Sequence, residues 1–478
     1  MHTLLALLFA LFLAPTAPRD DFALREAWIG KLHVGPFEAV MQFRVEADAA
    51  GATRAFFDSL SEQRTDFVAQ WRIEGEQLCF DVEEVGAHYR GTLDATRAHA
   101  EGTFEQGGRE LPLALDRSAK VYEPVYKWET RAQRPKAPFP YASEEVRFRN
   151  ERDGLELAGT LTLPAGEGRH PAVVLISGSG QQDRDETLME HKPFLVIADY
   201  LGRHGIAVLR YDDRGSFASG GDFGPATTAD FAHDASAAVD FLQRDARIDP
   251  ARIALCGHSE GGLVAPLVAV ERTDLAGIVL LAGPGISCAD IVREQSVSIP
   301  RSEGAGPAEL QLQQAVLGAV VEAVQGARDG SDLTAAIQSA VAEAVAKLPE
   351  AERALASESA EAFRGQLTGF TTPWFRYFVK HDPLAVLRRV HCPVLALAGS
   401  KDVQVYPPAR NLAGIASALA EGGNSDHETR ELPGLNHMFQ RCSRGSISEI
   451  LALPETFDPA ALEVLEHWLS GHLRAPAR

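Results

Sequence analysis

Three residues that can perform acyl transfer stand in this chain in a telling order: Ser259 in "RIALCGHSEGG", Asp402 closing "PVLALAGSKD", and His437 in "ELPGLNHMF". A serine hydroxyl attacks a carbonyl only when a base takes its proton, and an imidazole base needs an acid to orient it. Gly-His-Ser-Glu-Gly is a weak signal alone, because a chain with 41 glycines yields such pentapeptides by chance. Its setting strengthens it. The pentapeptide follows the apolar run "RIALC" and precedes the helix-like run "GLVAPLVAVE", the strand–turn–helix setting that exposes a nucleophile. Gly257 and Gly261 leave space where a tight turn would crowd β-carbons, and the helix N-terminus favours negative charge developing beside it.

In a strand–helix layout of this kind the order is serine, then acid, then histidine. Asp402 and His437 supply it, as orienting acid and general base. The chain has 15 histidines, so a stray one is expected. His391, His427 and His467 share this half of the chain, yet none follows a strand-and-glycine turn beyond a candidate acid. The oxyanion formed on attack needs backbone donors. The N–H of Glu260, directly after the nucleophile, is one. The loop "ISGSG" supplies the other, for which Ser179 is the candidate; a plain glycine turn is the alternative.

These residues need a scaffold. Short apolar runs ending in glycine or polar residues recur at 172–180, 205–215, 252–262, 277–285 and 393–402, with helix-length segments such as 190–204 and 229–244 between them. Strands without alternation, separated by helices, predict a doubly wound, mostly parallel sheet covered on both faces. The pattern breaks between 285 and 390. Segments 308–327, 332–348 and 350–369 read as amphipathic helices, with Leu312, Val316, Val320 and Val324 forming one stripe. This insertion is expected to be a helical cap over the site. The hydrolase-like part spans 143–478.

Residues 25–117 differ. Met41, Phe43 and Val45 alternate with Gln42, Arg44 and Glu46, and Leu111, Leu113 and Leu115 repeat the pattern. A period of two with frequent turns predicts a small all-β domain, a sandwich or barrel, over 22–125. The proline-studded stretch around "RAQRPKAPFPYA" makes 126–142 an extended linker.

The start, "MHTLLALLFALFLAPTAPRDD", reads as an export signal over 1–17, predicting a periplasmic or secreted protein. Its apolar run is shorter than the roughly 20 residues of a membrane span, and no stable membrane anchor is expected. The formal charge of −20 opposes binding to nucleic acid or anionic membranes. Five scattered cysteines show neither CxxC nor metal-ligand spacing. Cys256 and Cys392 are expected as buried thiols, and neither metal nor cofactor is expected.

On "LISGSGQQDRDE", "HKPFLVIADYL", "LRYDDRG", "GHSEGG", "LLAGPG", "LALAGSKDVQV" and "GLNH" the chain resembles the α/β-hydrolase superfamily. It is particularly similar to bacterial exported esterases with a β-rich domain ahead of the hydrolase core. The resemblance implies a serine hydrolase acting on acyl compounds without a cofactor. Relatives include carboxylesterases, thioesterases, acyltransferases and serine aminopeptidases, so the resemblance leaves the substrate open. Where relatives continue the Asp-Arg-Gly turn as R-G-x-G, this chain has Phe217 in "YDDRGSFASGG". Asp183, Arg184 and Asp185, with Asp212, Asp213 and Arg214, are expected in ion pairs beside the site.

The reading is thus a carboxylesterase that hydrolyses a small-molecule acyl ester through an acyl-serine. A serine aminopeptidase-like peptidase or thioesterase on the same triad, and a non-catalytic binding protein, are the alternatives.

Overall fold

The computed structural model describes residues 23–34, 37–47, 53–59, 64–106, 109–121, 131–328 and 332–474. The segment read as an export signal lies outside them. The chain divides into two compact units, one ending at Lys127 and one spanning Trp128–Arg478.

The first unit is a closed antiparallel barrel. Its strands are β1 (Ala23–Val34), β2 (Phe37–Ala47), β3 (Thr53–Ser59), β4 (Arg64–Glu74), β5 (Gln77–Val82), β6 (Ala87–Leu93), β7 (His99–Gln106) and β8 (Arg109–Ser118). Strand β8 returns to β1, pairing Ala27 with Ser118 and Ile29 with Asp116. Alternation does the sorting: β6 buries Ala87, Tyr89 and Leu93 and turns Arg90 and Thr92 outward. Inside, Trp28, Phe43, Phe57, Phe80 and Phe104 join Tyr89, with Phe43 and Phe80 stacked at 4.2 Å between centroids. Of the two architectures expected, a sandwich or a barrel, closure of β8 onto β1 makes the barrel.

The second unit carries a sheet in the order β16-β15-β14-β13-β11-β12-β10-β9. Its strands are β9 (Tyr141–Asn150), β10 (Leu155–Pro164), β11 (His170–Ile176), β12 (Ala207–Tyr211), β13 (Ile248–His258), β14 (Gly277–Leu281), β15 (Val394–Gly399) and β16 (His427–Leu432). From β12 to β16 the neighbours are parallel, whereas β10 pairs antiparallel with both β9 and β12. The apolar runs that show no alternation in polarity still alternate in space. Ile253 and Leu255 of β13 join Val239, Val264 and Ile415 on one face; Ala254 and Cys256 join Ile197, Leu201 and Leu465 on the other. Both faces are covered, which is why both residue sets are apolar.

The flanking helices are α1 (Pro193–Arg203), α2 (Thr228–Arg244) and α3 (Gly261–Glu271). Between β14 and β15 come α4 (Cys288–Ser302), α5 (Pro307–Gly326), α6 (Leu333–Ala346), α7 (Glu350–Glu358), α8 (Ala360–Phe370), α9 (Pro373–Lys380) and α10 (Pro383–Leu387). Then follow α11 (Pro408–Glu421), α12 (Ile447–Ile450) and α13 (Pro459–His472). The stripe Leu312, Val316, Val320 and Val324 of α5 is buried with Ile337 and Val341 of α6, in a core that also takes in Leu263 of α3 and Val405. The insertion therefore packs beside the loops that follow β13 and β15. Among the described residues no helix is long and apolar enough to cross a membrane.

Two expectations change. The stretch read as a linker is anchored where it is described. Arg131 is buried and donates to Leu453 O and, at 2.9 Å, to Leu451 O; the Gln133 side chain bonds Phe457 O at 2.6 Å and the N–H groups of Thr456 and Phe457. Of the six charges expected in ion pairs, four form them: Arg184 with Asp212, Asp185 with Lys192 and Arg210, and Arg214 with Asp234 and Asp153. Asp183 and Asp213 do other work. Asp183 accepts from Thr187, and Asp213 accepts from Ser177 Oγ and Gln182 N–H, against which burial still pushes its pKa well above the ordinary value. Cys256 is fully buried and Cys392 half-buried.

Candidate active site

Strand β13 ends at His258, and Ser259 turns the chain with φ 53°. A non-glycine residue in that left-handed region is strained, and such strain concentrates at functional turns. Its surroundings hold it there. Ser259 N–H donates to Leu281 O at 2.8 Å, and Gly262 N–H to Ser259 O at 2.9 Å. The glycines are required by contact: a β-carbon on Gly257 would lie 1.9 Å from Gly261 O, and one on Gly261 would lie 2.2 Å from Ile176 O. The turn is an elbow that lifts Ser259 above the sheet edge.

Asp402 and His437 follow the C-terminal ends of β15 and β16, on the edge where β13 delivers Ser259. His437 Nδ1 lies 2.8 Å from Asp402 Oδ2, with both side chains buried. Asp402 Oδ1 accepts from Gln404 N–H at 2.7 Å and Val405 N–H at 2.9 Å. Burial opposes its charge, but the His437 ring and these two N–H donors outweigh burial and hold the carboxyl below its ordinary range. An ionised Asp402 accepts the Nδ1–H and leaves Nε2 of His437 as the basic nitrogen. Asn436 shapes the loop, its Oδ1 accepting from Met438 and Gln440 N–H. Among the described residues no hydrogen bond joins the Ser259 hydroxyl to His437.

His427, another histidine of this half, opens β16 opposite Val394, at the other end of the sheet. Its Nδ1 faces Asn424 O.

The loop after β11 is pinned on both sides of Ser179. Gly178 N–H donates to Glu186 Oε1 at 2.8 Å, and Gln182 N–H to Asp213 Oδ2 at 2.9 Å. Among the described residues the N–H groups of Ser179 and Glu260 donate to no protein acceptor. The Glu260 carboxyl is buried; its Oε1 accepts from Thr228 Oγ1 at 2.6 Å and from Trp374 Nε1 on α9 at 2.8 Å. Burial pushes its pKa up against these hydrogen bonds.

Three contributors escaped the sequence reading: Glu186, Thr228 and Trp374. Glu186 stands in "QQDRDE", directly after the expected oxyanion loop, and that proximity was its only signal. Thr228 and Trp374 gave none. Phe217 adopts φ 50° and is exposed, so the turn keeps a glycine-like conformation with a bulky side chain on it.

A doubly wound sheet with a strained serine elbow and an Asp–His pair at its C-terminal edge is the architecture of the α/β-hydrolase fold. Residues 153–412 match the X-Pro dipeptidyl-peptidase (S15) family, and the chain belongs to that family. The match includes Ser259 and Asp402 and ends before His437. The chain is similar to esterase EstD of Thermotoga maritima, 34% identical over 197 residues, 40% of this chain and 45% of EstD. It is also 34% identical to an uncharacterized protein of Mycobacterium tuberculosis over 140 residues, 29% of this chain and 45% of that one. The chain thus spans less than half the length of the curated relatives it matches. Among solved structures, the alpha/beta hydrolase GrgF from Penicillium sp. sh18 is 20% identical at a TM-score of 0.43, covering 70% of this chain and 99% of its own. The Pyrococcus furiosus esterase Pf2001 is 15% identical at 0.40, covering 70% and 94%.

Proposed function

We propose that the protein hydrolyses carboxylic esters of small acyl groups through an acyl-serine on Ser259. The observation that carries this reading is the buried Asp402–His437 pair, 2.8 Å apart, at the sheet edge where the elbow presents Ser259. His437 Nε2 takes the Ser259 proton as Oγ attacks the ester carbonyl. The N–H groups of Ser179 and Glu260 receive the oxyanion. The intermediate collapses as His437 returns its proton to the departing alkoxide. Water then attacks the acyl-serine, giving its proton to His437, and Ser259 is regenerated.

Helices α4–α10 act as a cap, tied to the elbow by the Trp374–Glu260 hydrogen bond. A peptidase that holds a substrate amino terminus needs carboxylates aimed into the site. The cap's Glu322, Asp332 and Glu350 are exposed, which favours the ester; Glu309 is only partly exposed, Glu352 of α7 is buried with one oxygen unpaired among the described residues, and Asp329 lies outside them. The pattern of residues 1–17 supports export.

One preparation assayed on acetyl and butyryl esters and on aminoacyl amides tests the reading. Faster release from the amides would overturn it, as would turnover surviving in Ser259→Ala.

A further inference from the structure

Glu186 is a buried acid of the site whose side chain the mechanism above does not use. It adopts φ 52°, a left-handed backbone unusual for glutamate, in the loop between β11 and α1. It is 3% exposed. One oxygen does two jobs: Oε1 accepts from Gly178 N–H at 2.8 Å and faces His258 Nδ1 at 2.8 Å. His258 is buried too, and its Nε2 lies 3.0 Å from the backbone carbonyl of His437.

The protons follow from the acceptors. A carbonyl oxygen has none to give, so His258 Nε2 carries the hydrogen toward His437. Glu186 Oε1 already accepts from Gly178, as a carboxylate does, so Nδ1 donates as well. Both ring nitrogens then face acceptors, an arrangement that favours the charged imidazole beside the Glu186 carboxylate. Burial works against that charge. The Glu186 carboxylate, the His437 carbonyl and the more distant Asp402 outweigh burial and raise the His258 pKa above its ordinary value. The other neighbours are Cys256, whose thiol burial and then the Glu186 charge keep from ionising, the His437 ring at 4.8 Å between centroids and the apolar ring of Phe439 at 6.5 Å.

We propose that Glu186, acting through His258, is a positioning residue that holds the oxyanion loop and the backbone of His437 in one fixed register about Ser259. Gly178 directly precedes Ser179, the candidate oxyanion donor. A β-carbon on Gly178 would lie 3.2 Å from Ser259 Cβ and 3.3 Å from Glu186 Oε1, so loop, nucleophile and acid are in close contact. Without Glu186, Gly178 N–H loses its acceptor and His258 loses the countercharge that keeps both its bonds. The oxyanion donor and the base are then free to shift relative to each other, and shifts of about 1 Å in such parts cost on the order of 10²-fold in rate. The inference rests on the Ser259–His437 reading.

The test uses the full chain and an acetyl ester, with Ser259→Ala, Glu186→Ala, Glu186→Gln, His258→Ala and the Glu186→Ala/His258→Ala double variant. Glu186→Ala is expected to lower kcat by roughly 10²-fold, with KM changing by less than about twofold. Glu186→Gln, whose amide oxygen can still accept, is expected to recover part of that loss. The double variant should cost no more than the larger single change, because the two residues form one chain of contacts. Should the alanine variant not fold, the near-isosteric Glu186→Gln carries the test with a kcat loss at unchanged thermal midpoint. Wild-type kcat in folded Glu186→Gln and Glu186→Ala, a change confined to KM, or additive losses in the double variant would overturn the proposal. Turnover remaining in Ser259→Ala would instead refute the underlying reading, so the two failures are distinguishable.

Discussion

Trp374 of α9 donates its indole N–H to Glu260, the residue after Ser259, over 2.8 Å. Thr228, the first residue of α2, donates to the same oxygen. The insertion, a flanking helix and the elbow therefore meet on one buried carboxyl whose backbone N–H is a proposed oxyanion donor. Trp374→Phe keeps the ring and removes the donor. A lost hydrogen bond to a buried carboxyl costs about 1–3 kcal/mol, so the unfolding midpoint should fall measurably. The kcat for a short-chain ester should drop by a few fold, in the order of 3 to 10. An unchanged midpoint and kcat in Trp374→Phe would show that the indole bond does not hold the elbow.

The Asp402–His437 pair makes a graded prediction. Ser259→Ala and His437→Ala should each cost on the order of 10⁶-fold in kcat, because members of the proposed triad act as a unit. Asp402→Asn should cost less, roughly 10⁴-fold, because it leaves the nucleophile and base in place with the imidazole in the wrong tautomer. Steady-state kinetics on one ester, backed by serine-reactive probe labelling, checks the order. Loss in Asp402→Asn equal to that in Ser259→Ala would point to collapse of the loop that Asp402 organises through Gln404 and Val405.

Why the serine was legible and its supports were not has a physical basis. Strand β13, the elbow glycines and α3 are continuous in sequence, so each local requirement of the turn is written within a dozen residues. The stripe Leu312–Val324 was legible for the same reason, since helical periodicity is local. Glu186 meets His258 across 72 residues and Trp374 meets Glu260 across 114. A contact between distant segments leaves no period or spacing to read. Barrel closure is similar: alternation defines each strand, while the choice between sandwich and barrel depends on β8 meeting β1.

The stretch read as a linker yields a prediction about truncation. The barrel buries its own aromatic core, and the sheet of the second unit buries separate ones. A chain beginning at Trp128 keeps Arg131 and Gln133, which bond the backbone at Met189 and at 451–457. A chain beginning at 135 loses both. The first should unfold at a clearly higher temperature than the second, since six bonds to part-buried backbone groups at about 1 kcal/mol each are at stake. Probe labelling of Ser259 should persist in the longer form. Equal midpoints would show that these bonds do not stabilise the second unit.

His191 gives a pH dependence whose sign can be worked out. It is 1% exposed, with Nε2 2.9 Å from Ile450 O and Nδ1 2.9 Å from Thr456 Oγ1. The carbonyl needs a donor, so Nε2 carries the proton and Nδ1 accepts the threonine hydroxyl: a neutral ring. Burial and then the charge of Arg131 lower its pKa from 6.5 to about 4. As pH falls below 6.5, the unfolded chain takes up a proton that the folded chain refuses until about pH 4. The unfolded state therefore binds more protons in that window, and stability falls as the solution is acidified. The contribution is fully present above pH 6.5, and its complete loss below pH 4 amounts to about 3 kcal/mol. His191→Gln can keep both contacts without titrating. Denaturant midpoints measured from pH 7 to pH 4.5 should converge for wild type and variant as pH drops, the wild type losing more. Parallel curves would mean that His191 takes its proton inside the fold as readily as outside it.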